Sequence, residues 1–178
     1  MKNISYGILK KEEINLLLFS NFDRYQQVTK CWRKENDKWV LKDISFTENW
    51  GPDEYESLVK CLQKTIMTGG TVFGAFSDNN LVGFASLENQ FFGSKNDYLQ
   101  LSSIHTSNSC RGRGIGKKLF NLVCKKAREA GAEKLYISAH SSEETISFYK
   151  ALGCKEALEY NKNLVDKEPC DCQLEYVL

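Results

Sequence analysis

Three glycines alternate within five residues, Gly112, Gly114 and Gly116, and they separate a strand pattern at 98–106 from a helix pattern that runs to Gly131. Glycine reaches backbone angles that other residues avoid, so this spacing commits the chain to a tight strand-to-helix turn. Past the turn, Ile115, Leu119, Leu122, Val123, Ala127 and Ala130 recur on one helical face, and Gly131 ends the helix. Residues 134–139 then read as a second strand. A strand–helix–strand return makes those two strands parallel neighbours. The first amides of the helix have no partner inside it, and the helix dipole places partial positive charge there. Arg111, Arg113, Lys117 and Lys118 surround that end. The segment therefore reads as a cradle for an anion such as a pyrophosphate.

Two common phosphate templates fail. A dinucleotide fingerprint needs G-x-G-x-x-G, whereas these glycines alternate. An ATP-type loop needs glycine where Arg111 stands, and a hydroxyl residue where Lys118 stands. Net charge is +1 from 24 basic and 23 acidic residues, which gives no case for nucleic acid or a membrane surface. Leu16 to Phe19 is too short an apolar run for a signal or a span, so the expected location is cytoplasmic. The seven cysteines include no C-x-x-C pair and the histidines number two, which argues against a zinc site. At 178 residues the chain is expected to form one domain, 1–178.

Elsewhere the pattern is readable in pieces. Residues 4–9 suit a strand and 11–19 a helix. Residues 20–50 scatter Tyr25, Trp32, Trp39, Phe46 and Trp50 among charges, with 39–41 as a short extended piece. That region is either irregular, with aromatics packed on the sheet, or a wall of an acceptor pocket. Gly51, Pro52, Asp53 and Glu54 open a helix carrying Tyr55, Leu58, Val59, Leu62 and Ile66. Residues 71–76 and 81–87 are two strands joined by a turn. Ser141 and Glu144 fit a capping box for a helix ending at Gly153. Residues 154–160 and 171–178 read as final strands around a loop.

The run Arg111-Gly112-Arg113-Gly114-Ile115-Gly116 resembles the R/Q-x-x-G-x-G/A signature of the GNAT superfamily of N-acetyltransferases. A second stretch, Ser142 to Cys154, is similar to that family's N-x-x-A-x-x-x-Y-x-x-x-G-F. The resemblance implies an α/β (α+β) fold: a mixed, largely antiparallel sheet of about seven strands flanked by helices, with a splayed parallel pair. It implies acetyl-CoA as co-substrate and no metal. The pantetheine arm would pair with Ile104, His105 and Thr106. The pyrophosphate would take the amides of Gly112 to Lys117, beside Arg111 and Arg113. Ser142 stands where the family commonly has Asn. Tyr149 matches the tyrosine that protonates the leaving thiolate, a step the chemistry demands.

Many relatives carry a glutamate base on the central strand, but that position here is Gln100, which cannot accept a proton. Glu88 is the first alternative and His105 the second. The resemblance implies transfer of acetyl to a small-molecule amine or peptide acceptor in a ternary complex, and relatives are often homodimers. Asp43, Glu48 and Trp50 could serve a cationic amine. Two rivals stand beside this reading: a catalytically silent acyl-CoA-binding module, and an unrelated nucleotide-binding regulatory domain, against which the failed templates argue.

Overall fold

The computed structural model describes residues 3–178. Seven strands form one sheet in the order β1 (Ser5–Ile8), β4 (Thr71–Ser77), β5 (Asn80–Leu87), β6 (Tyr98–Thr106), β7 (Lys134–Ala139), β9 (Cys172–Val177), β8 (Lys155–Glu156). Every neighbouring pair is antiparallel except β6 with β7. The sheet is thus mixed and largely antiparallel with one parallel pair, as expected. That pair stays in register for three residues only, Tyr98 to Gln100 against Lys134 to Tyr136.

Helices cover both faces. On one side α2 (Ile115–Glu129) buries Ile115, Leu119, Phe120, Val123, Cys124 and Ala127. They pack against Ala85, Leu87, Leu99, Leu101 and Leu135 of the sheet. Phe120 and Cys124 complete that face, Leu122 is half-buried, and Ala130 is exposed. On the other side α1 (Pro52–Met67) sets Leu58, Val59 and Leu62 against Val72, Leu81 and Phe84. Each such side chain contributes about 1.5–3 kcal/mol when fully buried. α3 (Glu143–Leu152) follows β7, and Gly153 ends it in the left-handed region. Among the described residues, no helix is long and apolar enough to cross a membrane.

Four expectations are corrected. Residues 11–19 are two 3-10 turns, Lys11–Glu13 and Leu16–Phe19, because Ile14 is extended and the Asn15 side chain accepts from Leu18 N and restarts the chain. Residues 162–167, read as loop, form α4 (Lys162–Lys167), capped by Asn161 accepting from the amides of Asn163 and Leu164. The strand expected at 154–160 shrinks to β8. The cap of α3 is Ser142, not Ser141: Ser142 Oγ accepts from Thr145 N, while the Ser141 carbonyl takes Trp32 N at 2.8 Å.

The largest difference lies at 20–50. This stretch is a hairpin of its own, β2 (Tyr25–Glu35) with β3 (Lys38–Asn49), turned by Asn36 and Asp37, both at positive φ. Two left-handed residues match the twist of a two-residue hairpin turn. The hairpin is fastened at both ends. Asn108 N donates to Asp23 O at 2.8 Å, and Arg111 Nη2 donates to Tyr25 O at 2.7 Å. Further along, Arg33 Nη1 donates to Ser141 Oγ at 2.6 Å, and Lys150 sits over the Trp32 ring. It therefore spans from the end of β6 to the start of α3.

Candidate active site

The site begins with a fault in β6. Ser86 pairs with Ser103 and Leu87 with Leu101, so Ser102 is an extra residue. A bulge of this kind bends its strand and sharpens the twist. Beyond Gln100, β6 and β7 part, and main-chain groups of residues 101–106 that do not bond β5 face an open gap. A cleft of about 640 Å³ fills the gap, lined by Ile104, His105 and Thr106, the glycine turn, and Tyr149 of α3. A second cleft of 1200 Å³ lies between α1 and α4. The two share Trp50, Ser102, Ser103, His105 and Glu168, so together they form a passage past the edge of β6.

At the cleft's outer end, Gly112 and Gly114 take φ of +74° and +77°, which a side chain would strain. The first helical bond runs from Lys118 N to Gly114 O at 3.0 Å, so the earlier amides at the start of α2 have no partner within the helix. Gly116 serves proximity instead: a Cβ there would stand 3.2 Å from the Phe148 ring. Arg111, Gly112, Gly114, Ile115, Gly116 and Lys117 all line the cleft. Arg113 does not; its side chain is exposed.

Tyr149 lines the same cleft at the inner end, and among the described residues its hydroxyl has no hydrogen-bond partner. Burial, then Cys154 and Asp171 nearby, hold its pKa above the usual tyrosine value, so the phenol keeps its proton. Ser142 is brought close but not in: it is 2% exposed, and its hydroxyl is engaged with Thr145 and Gln26. A side-chain contact from Ser142 to a ligand in the cleft is therefore not available. Glu88 lines the second cleft, away from Tyr149, where Oε1 accepts from Thr65 Oγ1 at 2.8 Å and Ser102 Oγ at 2.6 Å.

His105 is corrected as a proton acceptor. Arg24 Nε, which can only donate, bonds His105 Nδ1 at 3.1 Å. The lone pair is occupied and the ring proton belongs on Nε2. Burial, then the charges of Arg24 and Arg111, push this imidazole down to about 3. Arg24 continues the chain: Nη2 donates to Glu48 Oε2 at 3.0 Å, and Glu48 Oε1 lies 3.6 Å from His140 Nε2. His105–Arg24–Glu48–His140 thus ties the end of β6 to the end of β7 through the hairpin. Arg24 is 8% exposed and stacks 5.2 Å from the Trp50 centroid. Glu48 and Trp50 line the cleft, whereas Asp43 is exposed on the hairpin.

Sequence reading missed Arg24 and Asp171, and it named Glu48 without its partners Arg24 and His140. None carries a local signal, because each meets its neighbours across more than twenty positions. Asp171 lies just ahead of β9 and lines the cleft beside Ser138 of β7.

The family profile described as "Acetyltransferase (GNAT) family" matches residues 31–154. No functionally curated protein matches the chain. Solved structures do. A nourseothricin acetyltransferase superposes with a TM-score of 0.67 at 19% identity, covering 97% of this chain and 95% of that one. A protein of Bacillus anthracis str. Ames assigned as a streptothricin acetyltransferase, solved with acetyl coenzyme A, reaches 0.71 at 14% identity, covering 99% and 97%. The PaiA N-acetyltransferase of Thermoplasma acidophilum, solved with coenzyme A, reaches 0.61 at 15% identity, covering 99% of each chain. At these identities the likeness establishes the fold.

Proposed function

The chain belongs to the GNAT family of acetyltransferases, and from that premise we propose that it moves an acetyl group from acetyl-CoA to an amine acceptor by direct attack in a ternary complex. The observation that carries the reading is a coincidence in one cleft. A helix start with free amides, a strand edge with open main-chain groups, and a tyrosine hydroxyl without a protein partner all face the same space. Two neighbours of this fold are held with coenzyme A or its acetyl ester, which supports the choice of co-substrate.

The residues divide the work by position. The amides of Gly112 to Lys117, with Arg111 and Lys117 alongside, hold a pyrophosphate. Ile104, His105 and Thr106 pair through their backbone with an extended amide-bearing arm, and a free N–H of that edge stabilises the oxyanion of the addition step. The amine's lone pair forms the C–N bond and the C–S pair leaves on sulfur. Tyr149, kept protonated by its surroundings, supplies that sulfur with a proton. The acceptor approaches through the second cleft, past Glu88, Ser102 and Trp50. The acids and aromatics there suit a cationic amine, of small-molecule or peptide origin.

Free-thiol release from acetyl-CoA across a panel of amines tests the reading, with Tyr149→Phe run beside the wild type. Amine-dependent release is expected, and kcat of the variant should fall about 100-fold with little change in KM for acetyl-CoA. CoA binding without amine-dependent release by the wild type would favour a silent CoA-binding module instead.

A further inference from the structure

A chain of buried and half-buried polar groups runs across β7 and β9 and ends on one carboxylate in the cleft. Tyr136, fully buried, donates from its hydroxyl to Gln173 Oε1 at 2.6 Å. Gln173, 2% exposed, donates from Nε2 to Ser138 Oγ at 3.1 Å. With that bond accepted, the Ser138 hydroxyl donates to Asp171 Oδ2 at 3.0 Å. Each donor is used in one direction, and the last proton points at Asp171. Among the described residues, Asp171 Oδ1 receives no hydrogen bond.

We propose that Asp171 is the group that receives the acceptor's ammonium and takes a proton from it, so that the acceptor is an amine that arrives as a cation. The inference rests on the acetyl-transfer reading above. Asp171 shares its cleft with Tyr149 and lies near enough for its charge to act on the phenol. Glu88, by contrast, faces the other cleft. A hydrogen-bond chain anchored on buried groups that fixes the orientation of one carboxylate is the kind of support a reacting group requires.

The protons balance. The ammonium gives one proton to Asp171 and becomes nucleophilic. Its nitrogen bonds the thioester carbon, the C–S bond breaks, and Tyr149 protonates the sulfur. The second nitrogen proton returns to the Tyr149 phenolate, and Asp171 releases its own to solvent. One amide, one thiol and one proton result.

The groups facing Asp171 are Glu168 from the end of α4, Glu48 from β3, His140 after β7, Tyr149 from α3 and the adjacent Cys172 thiol. Burial first, then Glu168 and Glu48, raise its pKa above the usual aspartate value, while Ser138 and His140 oppose this. Activity should therefore fall as acid protonates Asp171, at a pH above the ordinary aspartate range.

The experiment is the pH profile of kcat/KM for an amine that the wild type acetylates, compared with Asp171→Asn, Asp171→Glu and Glu88→Gln. Asp171→Asn should lose about 100-fold in kcat/KM and lose the acidic limb, with KM for acetyl-CoA held. Asp171→Glu should restore a limb, and Glu88→Gln should keep the limb. The proposal is overturned by a limb that persists in Asp171→Asn or vanishes in Glu88→Gln. Should Asp171→Asn fail to fold, Ser138→Ala removes only the hydroxyl that aims the carboxylate; an unshifted limb in that variant overturns the proposal as well. A wild type that releases no thiol with any amine sinks the acetyl-transfer reading itself, a result independent of every variant.

Discussion

The glycine turn and the hairpin face each other across the same cleft, and they are built by opposite means. From Arg111 to Lys117 consecutive residues form one wall, by backbone angle and helix start. The hairpin and Arg24 just ahead of it form the other through side chains: Arg24, Gln26 and Glu48 meet His105, Glu144 and His140 far away in sequence. A wall made of backbone presents donors of fixed position to a ligand part that never varies. A wall made of side chains can be re-cut without disturbing the first. That division suits an enzyme with one invariant co-substrate and a particular acceptor.

Four variants can break or sharpen this contrast. The largest effect is expected at the hairpin, from Glu48→Gln. It leaves the buried Arg24 guanidinium without its counter-charge and should cost about 2 kcal/mol. Thermal unfolding should register this as a drop of about 4–8 °C. An unchanged midpoint would mean that the His105–Arg24–Glu48–His140 bridge does not hold the two strand ends.

Next comes the turn. Gly114→Val places a branched side chain at positive φ, where its Cβ meets nothing within 4 Å, so the cost is backbone strain of about 1–2 kcal/mol. Strain that reshapes the cradle should weaken CoA binding about 10-fold by calorimetry and leave KM for the amine nearly unchanged. A larger effect on the amine than on CoA would contradict the division of the two walls.

Ser142→Ala removes the cap of α3 and should cost about 1 kcal/mol in denaturant unfolding. KM for acetyl-CoA should stay put, since the hydroxyl faces Thr145 and Gln26 rather than the cleft. A rise in that KM would return Ser142 to the co-substrate site.

The smallest effect concerns His105. Its folded pKa lies below the unfolded value, so the unfolded chain binds the extra proton as pH falls below about 6.5. Relative to His105→Gln, the wild type should lose stability between about pH 6.5 and 5, before most carboxylates titrate. Parallel stability curves for the two proteins would show that the imidazole is not held neutral.

Much of the fold was legible because its signals are short-range. The Gly51–Pro52 start of α1, the strand–turn–strand of β4 and β5, and the 98–139 unit all announce themselves within a few residues. The hairpin carried such a signal too. Asn36-Asp37 is a two-residue turn between β-rich runs, but the charges scattered on both strands hid the alternation. Ser141 and Ser142 could each cap α3 on local grounds. The choice fell to Ser142 because the hairpin takes the carbonyl and hydroxyl of Ser141.

What this sequence determined by itself is the glycine turn and the helix start with unpartnered amides, since backbone angles and helix ends depend on neighbours along the chain. It also determined the presence of Tyr149 on an amphipathic helix that returns to the sheet. Only the tertiary structure decided which ionisable groups face one another. His105 was disarmed by Arg24, 81 positions away, and Glu88 was turned into the second cleft. Asp171 was aimed by Ser138 at a separation of 33. The protonation and orientation of a side chain follow from burial and from partners in space, and neither is written into its own stretch of chain.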